Sequence, residues 1–180
     1  MNDTIIIRKA RLADVAQMTP VLDEYARQAE ILPRTAADVY QSIRDWVVAE
    51  ANGEVVAMGS LAVLWHDLAE IRSLVIKPAY QNRGIGRQLV ARLVQEAGGL
   101  ELPRVFALTR KPGFFLRGGF QLTRIEDLPR KVQKDCVFCP KFRACDEVAV
   151  IMPLPNPETT SVGLVAAPNG RTRQKFKVQG

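Results

Sequence analysis

The stretch from Leu74 to Gly86 constrains the fold of this chain more than any other segment. Leu74-Val75-Ile76 favours a strand, Lys77-Pro78 stops it, and Gln81-Asn82-Arg83-Gly84-Ile85-Gly86 opens a helical repeat. Ile85, Leu89, Val90, Leu93, Val94 and Ala97 share one helix face, and Gly98-Gly99 ends it. A helix entered through Gln-x-x-Gly-x-Gly exposes unpaired N–H groups and the positive end of its dipole. Glycines let a phosphate approach the backbone, and Arg83 and Arg87 add charge, so the segment reads as a pyrophosphate cradle. A Rossmann loop needs a third glycine and a preceding parallel strand, and a Walker loop needs Gly-Lys-Ser/Thr; neither pattern is here. A Gly-x-Gly by itself is also compatible with an ordinary surface turn.

The segments around this loop predict an α/β chain. Ile5-Ile6-Ile7-Arg8 is a short strand, and Val15, Met18, Val21, Leu22, Tyr25 and Ala29 recur at helical steps. Pro20 inside that repeat predicts a later helix start or a bend. Thr35 caps a second helix, with Asp38 at the third position and Val39, Ile43, Trp46 and Val47 on its inner face. Asn52-Gly53 between apolar runs predicts a hairpin, and with the run from Ala69 to Ile76 it makes a three-stranded antiparallel meander. Val105–Thr109 reads as a buried strand and Pro112–Arg117 as a short helix. Gln121-Leu122 restarts extended structure, 126–145 reads as irregular, and Glu147–Met152 as a last strand.

At 180 residues, 47% hydrophobic and 24% charged, the chain has the balance of one globular domain rather than a disordered or collagen-like one. No apolar run reaches the roughly 18 residues of a membrane helix, and the first residues lack a signal-peptide core, so the expected location is cytoplasmic. Arg171, Arg173, Lys175 and Lys177 against Glu158 give the last 28 residues a net charge of +3, half of the +6 total. That tail lacks a recognition helix or RNA motif, so nucleic acid is not expected as a partner. The three cysteines are spaced Cys136-x2-Cys139-x5-Cys145. A zinc site would need Asp146 or His66 as a fourth ligand, so a metal is not expected, and a cytosolic disulfide is improbable.

With the glycine loop, the following helix and strand, and Phe114-Phe115-Leu116-Arg117-Gly118-Gly119-Phe120, residues 5–152 resemble the GNAT superfamily of acetyl-CoA-dependent N-acetyltransferases. The resemblance implies a mixed, mostly antiparallel sheet splayed between its fourth and fifth strands and flanked by helices. It divides the chain into an acetyltransferase domain, 1–152, and a basic tail, 153–180. It implies acetyl-CoA as co-substrate, with pantetheine against the backbone of Leu74, Val75 and Ile76. Pyrophosphate would lie on Gln81, Asn82, Arg83, Gly84, Ile85 and Gly86, with Arg87 and Phe115 beside the cofactor. Ile31–Thr35, Leu68–Leu74, Phe106–Thr109, Leu128–Val132 and the cysteine segment through Glu147 resemble the short bacterial N-acetylglutamate synthases. That narrower match implies acetyl transfer to the amine of L-glutamate, the first committed step towards arginine. GNAT enzymes are often dimers, which leaves a homodimer open.

Acetyl transfer needs an amine stripped of a proton, a polarised thioester and an outlet for the thiolate. On the resemblance, Glu70 is the base; its plainer reading is a strand carboxylate paired to Arg72. The tyrosine that many GNAT enzymes use as acid is replaced by Phe115, and a serine used by some is replaced by Leu108, leaving Thr109 or water. His66, the single histidine, is a weaker candidate base in a turn. Glutamate carries two carboxylates, which arginines bind in bidentate fashion. Arg8 is the first candidate for that role, followed by Arg34, Lys141 and Arg143, with Ser73 beside the acceptor. The competing functions are acetylation of another amino acid, a polyamine or a protein lysine, and a non-catalytic acyl-CoA-binding regulatory module.

Overall fold

The computed structural model describes residues 3–139 and 142–155. One seven-stranded sheet organises them, in the order β1-β2-β3-β4-β5-β7-β6. The strands are β1 (Ile5–Lys9), β2 (Trp46–Ala51), β3 (Glu54–Trp65), β4 (Leu68–Ile76), β5 (Arg104–Thr109), β6 (Gln121–Thr123) and β7 (Val148–Pro153). Helices α1 (Val15–Arg27) and α2 (Ala36–Gln41) precede β2, and α3 (Ile85–Gly99) follows the glycine loop. Two short helices, α4 (Pro112–Leu116) and α5 (Pro129–Lys134), complete it. The expected mixed sheet is present, antiparallel throughout except for the parallel pair β4–β5.

Local chemistry accounts for most of these boundaries. The Thr35 hydroxyl accepts from the Asp38 amide, and the Asp38 carboxylate accepts from the Thr35 amide, closing a capping box on α2. That helix ends at Gln41, so Trp46 and Val47 belong to β2 and not to a helix face as their spacing predicts. Both are buried, and β-branched or aromatic residues next to a hairpin partner gain more from the sheet. Helix α1 begins at Val15 with Pro20 inside it, so the predicted later start is wrong. The apolar face of Val15, Met18, Val21, Leu22 and Tyr25 holds the helix against the sheet despite the missing N–H. The stretch 126–145, predicted irregular, contains α5, which begins on Pro129, where the absent N–H would be unpaired in any case.

Apolar residues collect on both faces of the sheet. The α3 side gathers Leu89, Leu93 and Ala97 with Val47, Leu61, Ile71 and Val105. The opposite side carries two separate clusters: one under α1 and α2 with Trp46, Val48, Met58 and Val75, the other built from Leu64, Leu68, Phe106, Leu128 and Ala149. Polar side chains fill the interval between them, Ser60, Glu70 and Lys131 being buried.

Two irregularities shape β4. Met58 pairs with Val75 and Ser60 with Arg72, so Gly59 faces both Ser73 and Leu74 across a bulge, with Ser73 at φ +53°. On its other edge β4 pairs with β5 only at Ala69–Val105 and Glu70–Phe106. Beyond Glu70 the two strands part.

Arg8 fastens the first strand. Its guanidinium donates to both oxygens of Asp14, at 2.7 and 2.9 Å, and to Glu50 at 2.8 Å. The hydrogen bond from Arg8, against the opposing effect of burial, holds the Asp14 carboxyl below its ordinary range. A lowered carboxylate contributes stability that is full above the unfolded value, about pH 4, and is lost as pH falls through the folded value. Replacing Arg8 with Ala is expected to cost roughly 3 kcal/mol at pH 7. It should also flatten the loss of stability below about pH 4, as read by urea unfolding across pH.

Candidate active site

The parting of β4 and β5 opens a cavity of about 610 Å³. One wall is β4 from Glu70 to Leu74 with Ile76, and the other is Leu108 to Lys111 with Phe114, Phe115 and Arg117. The glycine loop and the start of α3 close one end, and Arg34, Lys131 and Glu147 line the other.

At the loop end, Gly84 caps α3 with φ +79°, a left-handed conformation that favours glycine. Gly86 matters for a different reason: a Cβ there would lie 2.9 Å from Ile76 Cδ1 and 3.3 Å from the Phe114 ring, so those side chains would have to shift. The helix N-terminus is thereby pressed against the end of β4. Arg87 and Arg117 line this end, with no side-chain hydrogen-bond or ion-pair partner among the described residues. An exposed helix N-terminus flanked by unpaired guanidinium groups suits a phosphorylated ligand.

The first residue of the motif has another task. Gln81 Nε2 donates to the Tyr25 hydroxyl and to the Ile76 carbonyl, each at 3.1 Å, and Tyr25 donates to the same carbonyl. Gln81 therefore ties the loop to α1 and to the end of β4. The Lys77 amide bonds to Val56, so by antiparallel alternation Ile76 turns its polar groups to the splayed edge. Its carbonyl there already serves Tyr25 and Gln81, leaving its amide for a ligand. Val75 packs its side chain beneath α1, away from the cavity. Arg83 stacks 5.0 Å from the Tyr80 ring centre and lies 3.6 Å from Asp3, off the cavity wall.

The opposite end is a charge cluster around Glu70, which occupies the last β4–β5 rung before the splay. Lys131 Nζ lies 2.9 Å from Glu70 Oε2 and 3.0 Å from Asp135 Oδ2. Arg72 approaches the same two oxygens at 3.7 and 3.5 Å. Burial draws the Lys131 ammonium towards its neutral form, but Glu70 and Asp135 outweigh that, so its pKa stays above the ordinary lysine value. Arg34, half-buried at this end, has no hydrogen-bond or ion-pair partner among the described residues. Burial and the charge of Arg72 lower its pKa without discharging an arginine. Atoms packed around Glu147, then the charge of Glu70, push that carboxyl up. A smaller hollow of about 230 Å³ shares Arg34 and Arg72 with this end and carries Asp45 and Ser60 on its wall.

Of the residues expected at a site, Glu70, Ser73, Leu74, Ile76, Gln81, Asn82, Gly84, Ile85, Gly86, Arg87, Phe115 and Arg34 line the cavity. Arg8 does not: Asp14 and Glu50 hold it beyond the cavity wall, at the sheet edge that β1 forms. Arg143 is exposed and off the wall, and Lys141 lies outside the described residues, as does the tail from 156. His66 is exposed in its turn, against Trp65. The cysteines are free thiols, buried at Cys136 and exposed at Cys145, and no group of three metal-ligating side chains occurs among the described residues. Lys131 and Asp135 carry no expectation from the sequence. Their i,i+4 spacing after Pro129 was the available signal, once α5 is recognised as a helix.

Comparison with known proteins agrees with this geometry. The model of the acetyltransferase (GNAT) family matches residues 15–120. An amino-acid acetyltransferase of Mycobacterium tuberculosis is 41% identical over 127 residues, 69% of this chain and 71% of that protein. An uncharacterized N-acetyltransferase of Chlorobaculum tepidum is 37% identical over 148 residues, 82% of this chain and 96% of that protein. A crystal structure from Mycobacterium tuberculosis, in complex with CoA and NLQ, superposes with a TM-score of 0.72 at 31% identity, over 83% of this chain and 99% of that one.

Substituting Gly86 with Ala forces the Ile76 side chain or the helix start to move. The expected cost in urea unfolding is roughly 1–3 kcal/mol. A change within about 0.5 kcal/mol would show that the junction is slack.

Proposed function

The chain belongs to the GNAT acetyltransferase family, and on that premise we propose that it transfers the acetyl group of acetyl-CoA to the amine of L-glutamate, as N-acetylglutamate synthases do in the first committed step towards arginine. The observation that carries the proposal is Glu70, buried at the apex of the splay between a phosphate-binding end and a cationic end. Acetyl-CoA supplies the activated acyl group. The residues at the loop end bind its charged portion, and the exposed β4 edge offers backbone to its arm.

Glu70 takes a proton from the acceptor ammonium, directly or through water, which frees the amine for attack. Arg34 holds an acceptor carboxylate, since its guanidinium has no described protein partner and faces the cavity. Arg72 can contribute a second contact while it steadies Glu70. The phenols on the cavity wall, Tyr25 and Tyr80, belong to the end that the glycine loop closes. Phe115 stands where a tyrosine acid would be, and the Tyr25 hydroxyl donates to Ile76. Thr109 lines the cavity and its hydroxyl accepts from the Lys111 amide, so its own proton is free to act.

One observation favours a second acceptor. Arg72 and Lys131 are already paired with Glu70 and Asp135, so Arg34 supplies the unpaired positive charge at this end among the described residues. A single carboxylate beside a neutral amide, as in glutamine, suits that balance as well as a dianion.

Thiol release from acetyl-CoA, measured with each of the twenty amino acids, is expected with glutamate or with glutamate and glutamine. Changing Glu70 to Gln should lower kcat by about 10²- to 10⁴-fold with acetyl-CoA affinity kept. Changing Arg34 to Ala should raise the acceptor KM roughly ten- to a hundredfold. Acetyl-CoA binding without turnover on any amino acid would overturn the glutamate assignment.

A further inference from the structure

The Glu70–Lys131 contact joins two buried charges across 61 residues of sequence, at one end of the cavity. Their side chains are 4% and 7% exposed. A charge so far from water persists only with a close partner, and losing one member leaves the other strongly disfavoured. The lysine is also held from behind: Asp135, one helical turn on, takes a second of its three donors. Lys131 therefore cannot swing away from Glu70 without abandoning two carboxylates.

We infer that Lys131 is a positioning residue for the acetyl transfer: its ammonium, anchored by Asp135, fixes the Glu70 carboxylate at the mouth of the splay, where it receives the acceptor's proton. The inference rests on the reading of Glu70 as the base. It assigns the segment after Leu128 a task in the chemistry beyond closing the fold, because α5 brings no other described side chain to the cavity wall.

The charges around Glu70 fix the sign of the effect. Lys131 from α5 and Arg72 from its own strand favour the carboxylate, and Arg34 from the loop before α2 adds to them more distantly. Asp135 beyond α5 and Glu147 before β7 oppose it, and the thiol of Cys136 lies nearby in neutral form. Lys131 is the nearest of the cations. Without it, Glu70 holds its proton to higher pH, and the free base needed for turnover appears later in a titration. Removing Asp135 deletes a negative neighbour and loosens the anchor, so the direct electrostatic effect on Glu70 has the opposite sign.

The test is the pH dependence of kcat for the full chain, with the best amino-acid acceptor, in the wild type and in the Lys131→Met, Lys131→Arg, Asp135→Asn and Glu70→Gln variants. In Lys131→Met the acid limb is expected to move up by roughly one to three pH units, with activity recovering on the alkaline side. Lys131→Arg should restore most of that shift, and Asp135→Asn should not move the limb upward. A Lys131→Met enzyme with a uniform loss at every pH and an unmoved limb would overturn the inference and leave the lysine a purely structural role. If Lys131→Met does not fold, as judged by circular dichroism and acetyl-CoA binding, Asp135→Asn and Lys131→Arg decide: an upward shift in Asp135→Asn, or an Arg variant as poor as a deletion, overturns the inference. An acid limb that survives Glu70→Gln would instead remove the base assignment, and the role of Lys131 with it.

Discussion

Strands β4 and β5 share two rungs and then separate, and the site exists because of that separation. A parallel pair buried in a sheet would ordinarily continue its ladder, since unpaired backbone groups are costly away from water. Here the costs are met locally. The bulge at Ser73 and Leu74 keeps β4 bonded to β3 while it turns away from β5. Tyr25 and Gln81 take the Ile76 carbonyl at the far end. Beyond its pairing with β4, β5 stays in the sheet through six residue pairs with β7. The cleft is thus a stable part of the sheet, with a short length of exposed β4 edge along one side.

Electrostatics divides the cleft into two ends. At the loop end the positive charge is a helix terminus with Arg87 and Arg117, whose side chains have no hydrogen-bond or ion-pair partner among the described residues. At the Glu70 end, Arg72 and Lys131 interlock with the carboxylates of Glu70 and Asp135 between two apolar clusters, and Arg34 beside them has no hydrogen-bond or ion-pair partner among the described residues. Buried ion pairs add little net stability, because desolvation offsets their attraction. Their value here is geometric: four side chains from β4 and the α5 segment fix one another at the apex of the splay. Arg8, Asp14 and Glu50 form a comparable cluster at the edge of the sheet, and that one holds the chain together without facing a ligand.

Local patterns made much of this legible. The Asn52-Gly53 turn, the Thr35–Asp38 cap and the helix after Gly84 all depend on neighbours within a few residues, and each appears where the sequence places it. The glycine loop was legible because the geometry of a helix N-terminus is itself local. Trp46 and Val47 went astray because hydrophobic spacing over a few residues fits a helix end and a buried strand equally well, and only the pairing with Ser60 and Gly59 separates them. The segment around α5 looked irregular because a helix of six residues, rich in charge, has almost no apolar period.

By itself, then, the sequence determined the order of the strands and longer helices, the glycine loop and the placing of a carboxylate on the strand before it, since these follow from short-range stereochemistry. The partners of the charges were decided only by tertiary structure. Arg8 and Arg34 are both arginines that the sequence offers to an acceptor carboxylate, but one folds onto Asp14 and Glu50 while the other faces the cavity. Lys131 meets Glu70 because β4 and α5 converge at the apex of the splay, a contact between residues 61 apart that no local pattern encodes. Charge on a side chain is written in one letter, whereas the field it feels is set by what the fold brings within a few ångströms of it.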